Sequence, residues 1–131
     1  FNIELQKLTK ILCKNKPKGR RTHSMVSIND KIIIYGGLDD DDNALNCMYY
    51  INASNVIQNK TEPIWIKCDI NMPPLYGHKM LTYNNKIYIV GGKDMLGKNG
   101  KLNDIITVFN SDINGNKCKK YKINKKYHRY L

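Results

Sequence analysis

Three groups of residues in this chain could do chemistry, and each implies a different reaction class. Gly92-Lys93-Asp94-Met95-Leu96-Gly97-Lys98-Asn99 nearly fits the glycine-rich loop that cradles phosphates. That loop needs Ser or Thr after the lysine to hold Mg²⁺, and a helix N-terminus facing the phosphates. Here Asn99 follows Lys98, and Gly100-Lys101-Leu102-Asn103-Asp104 reads as a loop entering a strand. An interstrand loop is therefore the expectation. Asp39, Asp40, Asp41 and Asp42 could collect Ca²⁺, a cation that wants several oxygens. Four consecutive aspartates lack the alternation that wraps one ion, so a solvated acidic loop is expected. His23 and His78 could act as acid–base groups. No Ser/His/Asp set, carboxylate pair or Cys/His couple can be assembled around them. The expectation is no catalytic residue, no metal and no cofactor.

The histidines belong to a repeat. The stretch Gly77–Gly92 carries two apolar runs, Met80–Tyr83 and Ile87–Val90, separated by Asn84-Asn85 and closed by Gly91-Gly92. Two β-prone runs joined by residues that tolerate positive φ predict a tight hairpin. Thr22–Gly37 repeats it 55 residues earlier, with His23, Met25, Asn29, Lys31, Gly36 and Gly37 matching His78, Met80, Asn84, Lys86, Gly91 and Gly92. A period near fifty points to a propeller or another repeat array.

The elements that must position these groups follow. Each unit is expected to hold four short antiparallel strands, the content of a propeller blade. The first unit predicts strands near Ser24–Ile28, Lys31–Tyr35, Asn46–Asn52 and Pro63–Cys68. The second predicts Lys79–Tyr83, Lys86–Val90, Ile105–Asn110 and Lys117–Ile123. A further strand is expected around Leu5–Cys13, and no helix. Leu102-Asn103-Asp104 matches Leu45-Asn46-Cys47 at an offset of 57, making the second loop two residues longer. The organisation read from this is an outer strand of a preceding blade at 1–16, repeats at 17–70 and 71–124, and the start of a third repeat at 125–131.

Composition limits the function. The chain of 131 residues carries a net charge of +11, which invites a nucleic-acid reading. But 19 Lys, 17 Asn and 17 Ile share A+T-rich codons, and only three Arg occur. A selected phosphate-binding surface favours arginine's planar fork. Solvated lysines are the expectation, and nucleic acid is disfavoured. No apolar run reaches eighteen residues, so no membrane span is expected. Cys13, Cys47, Cys68 and Cys118 lack metal-ligand spacing and read as reduced thiols of an intracellular, cytoplasmic protein. The start at Phe1-Asn2-Ile3-Glu4 reads as a piece cut from a longer chain.

The order Arg21-x-His23, Gly36-Gly37, Leu45 with Tyr49 or Tyr50, then Trp65 resembles the kelch repeat. The second unit matches through Gly77-His78, Gly91-Gly92 and Leu102-Asn103-Asp104. It departs in having Tyr76 for Arg21 and no tryptophan on its fourth strand. The resemblance implies an all-β fold of two kelch-like propeller blades plus edges. In it His23, Gly36, Gly37, Tyr50, Trp65, His78, Gly91, Gly92 and Asp104 are structural, the histidines hydrogen-bonding within the blade. Kelch propellers commonly have six blades, so the rest must come from the same chain or from self-association. Partners in the family bind loops at one mouth of the ring. Here those are Leu38–Ala44, Lys93–Lys101, Asn71–Tyr76 and Lys119–Lys126, with Asp39, Asp40, Asp41, Asp42, Tyr76, Lys93, Asp94, Lys98 and Lys101 as contact residues. The implied function is protein–protein interaction with a partner not specified by sequence. The alternative is substrate positioning for a fused enzyme such as a phosphatase or ubiquitin-ligase adaptor.

Overall fold

A computed structural model describes residues 6–58, 61–94, 100–113 and 117–124. Two hairpins form where paired apolar runs meet Asn-rich turns. β1 (Ser24–Ile28) pairs with β2 (Lys31–Tyr35), and their turn residues Asn29 and Asp30 both have positive φ, at 46° and 61°. Asparagine and aspartate tolerate this left-handed backbone, which twists the turn to suit a tight hairpin. β3 (Met48–Asn52) joins β2, and β4 (Ile66–Lys67) joins β3, giving one four-stranded antiparallel sheet. Between β3 and β4 the chain makes a short helix, α1 (Ala53–Gln58). The Asp30 carboxylate holds its start by accepting bonds from the Ser54 N–H and hydroxyl at 2.8 and 2.6 Å. Sequence gave no reason to expect this helix, because the cap comes from another hairpin's turn.

The second sheet repeats the plan. After β5 (Leu75–Tyr76), β6 (Lys79–Tyr83) and β7 (Lys86–Val90) form the hairpin, turning at Asn84 and Asn85 with φ of 48° and 59°. β8 (Lys93–Asp94) and β9 (Lys101–Leu102) follow. β10 (Ile105–Asn110) then pairs with β7, and β11 (Lys119–Lys122) with β10. The segment expected as a plain loop, 93–101, instead begins and ends in strands. β8 pairs with both β5 and β9 in a small three-stranded sheet. Its counterpart in the first repeat is reduced to single bridges, Arg21 with Leu38 and Leu38 with Ala44.

These pairings correct the sequence register. Leu38 is bonded to Ala44 as Lys93 is to Leu102, and Ile34 faces Tyr49 as Ile89 faces Thr107. The third strands therefore match at an offset of 58, not 57. The fourth strands are shorter than expected, and no strand forms over the described part of Leu5–Cys13. Instead Lys14 makes a parallel bridge to Ile64 of the first repeat, with Lys14 N–H donating to the Pro63 carbonyl at 2.8 Å. The expected third repeat at 125–131 lies outside the described residues.

The two sheets pack through one apolar cluster. Ile33, Tyr35 and Met48 of the first sheet meet Met72, Leu75, Met80, Ile87, Ile89 and Phe109. Period-two alternation puts Ile87 and Ile89 on the face turned to the first sheet. The innermost strands β1 and β6 lie side by side, and Met80 N–H donates to Ser24 Oγ at 2.8 Å. Gly36, at φ +66°, touches the next repeat directly. A Cβ there would stand 2.5 Å from the Leu75 carbonyl oxygen and 2.7 Å from His78 Cε1. Gly36→Ala is expected to cost about 2 kcal/mol or more, from the left-handed backbone and the clash together. Urea denaturation beside Gly19→Ala, where nothing lies within 4 Å of an added Cβ, checks it. Equal midpoints for the two variants would remove the close approach as a constraint.

Candidate functional site

The repeated histidines occupy different surroundings. His78 is 1 % exposed and sets its ring edge-on to Tyr35 of the preceding sheet, with centroids 5.0 Å apart and planes at 66°. Its position is fixed from behind by Gly92, where an added Cβ would lie 2.8 Å from His78 Cβ. Among the described residues neither ring nitrogen has a hydrogen-bond partner of good geometry. His78 is thus held mainly by packing between the blades. Tyr35 adds the polar link, its hydroxyl donating to the Pro73 carbonyl of the connector. His23 has no such cover and is exposed.

Burial holds the His78 pKa down to about 4, with nearby His23 and Lys79 acting in the same direction. A base with a depressed folded-state pKa contributes its full stability above its unfolded value, near 6.5, and loses it as pH falls towards 4. We expect this group to account for a loss of about 3 kcal/mol across that window. His78→Phe keeps a ring without the titration and is expected to abolish the slope in denaturation midpoints between pH 6.5 and 4. A slope unchanged in that variant refutes the assignment.

The acidic loop is organised around one carboxylate. Asp39 is only 2 % exposed, unlike the free loop residue expected from sequence. It accepts bonds from the Asp41 and Asn43 N–H groups at 3.0 and 2.9 Å, and Lys18 Nζ lies 2.7 Å away. The Lys18 ammonium, then the backbone donors, hold its carboxyl well below the usual carboxylate range. Arg21 clamps the other side, donating to the Asp39 carbonyl at 2.9 Å and pairing with Asp42. Asp40 and Asp41 stay exposed, and among the described residues they enter no ion pair. No cluster of metal-ligating side chains occurs among the described residues. Asp39→Asn is expected to loosen the loop and lower thermal stability. Proteolysis around 39–43 reads the change, and an unchanged cleavage rate would count against this role.

In the second repeat Tyr76 and Lys93 pair across β5 and β8, and Asp94 faces Lys101. Lys93 and Lys101 are exposed, Tyr76 and Asp94 half-buried. Lys98 lies outside the described residues, as does most of the phosphate-loop look-alike. The described start of that segment is strand, Lys93–Asp94, and the described chain beyond it enters strand again at Lys101–Leu102. Asn103, missed by sequence reasoning, fixes the hairpin's return by donating from Nδ2 to the Gly91 and Ile105 carbonyls at 2.9 and 3.0 Å. Asp104 is the ion partner of Lys122 at 3.9 Å. Tyr50 in β3 and Trp65 just before β4 are half-buried, Lys31 Nζ sitting 5.6 Å from the Tyr50 ring centre. The four cysteines are free thiols, and burial pushes Cys68 up to about 11. Among the described residues no helix is long and apolar enough to cross a membrane.

This architecture is that of adjoining kelch blades. The chain matches the KLHDC2/KLHL20/DRC7 Kelch-repeats domain over residues 1–128 and belongs to that family. It is similar to Rho GTPase-activating protein gacHH of Dictyostelium discoideum, 36% identical over 70% of this chain and 6% of that protein. Putative protein tag-53 of Caenorhabditis elegans is 30% identical over 60% of the chain and 6% of its own length. Host cell factor 2 of Homo sapiens is 29% identical over 58% of the chain and 10% of its own length. The chain thus spans a tenth or less of these relatives.

Proposed function

We propose that this chain is a protein-interaction segment of a larger intracellular, cytoplasmic protein, binding a partner through loops on two adjoining kelch blades. One observation carries the reading. Asp40–Asp42 and the Lys93/Lys101 strands leave equivalent strand positions in successive blades, so opposite charges leave a rigid frame at corresponding points. Such complementary patches guide and select partners, and loops on a rigid scaffold are where binding concentrates. Asp40, Asp41, Asp42, Tyr76, Lys93, Asp94, Lys98 and Lys101 are the proposed contacts, with Asp39 holding the loop that presents them. The face of the second sheet carrying Leu81 and Tyr83 supports docking of a further blade. These residues stand 55 positions after Val26 and Ile28, which pack into the seam, yet are 47 % and 65 % exposed.

A second reading has the propeller position substrates for a fused catalytic domain, such as a phosphatase or a ubiquitin-ligase adaptor's enzyme. The similarity to a protein named as a Rho GTPase-activating protein favours keeping it. The test reverses charge at Asp40, Asp41, Lys93 and Lys101 together and compares captured proteins with those held by the unaltered chain. The expected result is at least tenfold less of the principal captured protein. Identical capture by both proteins would sink the loop reading.

A further inference from the structure

A groove of about 140 Å³ lies between the connector after the first blade and strands β9–β10. Its floor is Met72, Leu75, Ile105 and Thr107, and its rim carries Lys101 and Lys120 together with Asp94 and Asp104. We propose that this groove receives an aromatic side chain of a partner peptide whose flanking residues are acidic. The proposal goes beyond the loop reading, because it names a pocket and an anchor rather than surface charge.

The first blade shows what the groove fits. Tyr49 faces Ile34 as Thr107 faces Ile89, so Thr107 occupies the repeat position of a tyrosine. In the first blade Arg20 lies over the Tyr49 ring at 5.8 Å, and it donates to the Gly36 carbonyl at 3.1 Å. In the second blade Leu75 stands at Arg20's repeat position, and Asn103 supplies the donor to the equivalent Gly91 carbonyl. The polar duty of the arginine is met, while the ring has no replacement. What separates the two sites is an aromatic ring, and a space of roughly 150 Å³ is large enough for benzene. Aromatic residues are also the usual anchors of protein interfaces, since they bury much area with few rotamers.

The flanks follow from charge. Four charged side chains line the groove: Lys101 and Lys120 are exposed and, among the described residues, enter no ion pair, while Asp94 and Asp104 are half-buried and Asp104 is engaged by Lys122. The chain as a whole carries +11, so its field draws acidic segments. β9 is an edge of the three-stranded sheet, which offers an extended backbone a line of approach.

The test uses the 131-residue protein and a fluorescein-labelled pentapeptide, tyrosine between two acidic residues on each side, read by fluorescence anisotropy. The expected result is saturable binding that weakens at least tenfold when alanine replaces the tyrosine. Thr107→Tyr, which supplies the ring from within, is expected to weaken it by the same factor with its circular dichroism spectrum unchanged. If that buried variant does not fold, Lys120→Glu on the exposed rim decides, with a loss of at least fivefold expected. No saturable binding overturns the proposal, and so does equal affinity for the alanine peptide. Binding untouched by a folded Thr107→Tyr, or by Lys120→Glu, overturns it too. Neither variant alters the charges of Asp40, Asp41, Lys93 or Lys101, so failure here leaves the loop reading to its own test.

Discussion

The missing side chain at Gly36 is the constraint on which the seam depends. Its bare Cα lets the Leu75 carbonyl and the His78 ring come within a distance that any Cβ would forbid. Once they are there, Gly37 N–H donates to that carbonyl at 2.8 Å, and Gly77 N–H donates to Thr22 at 3.0 Å. Tyr35 closes over His78 and reaches the connector. Backbone contact at the inner end and apolar packing behind it therefore arise from one small residue. The blades cannot slide without breaking both.

This seam also sets where the two loops stand. Its rigidity fixes the relative position of the acidic loop and the β8–β9 strands, which leave the two blades from equivalent points. The loops differ in how they are held. The first is tied down by Lys18, Arg21 and the turn at Asp39, the second by strand pairing and Asn103. The same repeat position thus presents two different surfaces without any change in the frame beneath it. A buried neutral histidine at the junction makes the frame sensitive to acid. Its cost of charging falls on the contact between blades and not on either sheet alone.

Much of this was legible in the sequence. Periodicity two, the Asn29-Asp30 and Asn84-Asn85 turns and the paired glycines are local signals. They specified the hairpins and the blade order, because turn residues and alternation act over only a few positions. β1, β2, β6, β7 and β10 fall where those signals put them. The outer strands were less legible, since Ile66–Lys67 and Lys119–Lys122 are short, exposed edges with little apolar alternation to mark them. The helix α1 escaped because its cap, Asp30, is distant in sequence. The register of the third strands was set one residue off, since only hydrogen bonding distinguishes an offset of 57 from 58.

By itself, then, the sequence determined the repeat, the strand order and the family. It could not separate His23 from His78, nor Asp39 from Asp40, since each pair reads alike along the chain. Tertiary structure separated them, because burial belongs to the neighbour and not to the residue. His78 has the Tyr35–Gly36 edge against it and stays neutral, whereas His23 is exposed. Asp39 turns inward to the Lys18 ammonium and two backbone donors, and Asp40 faces water. The groove over Thr107 exists for the same reason. A threonine where the first blade has a tyrosine is unremarkable in a sequence, and becomes a cavity only when the strands around it are packed.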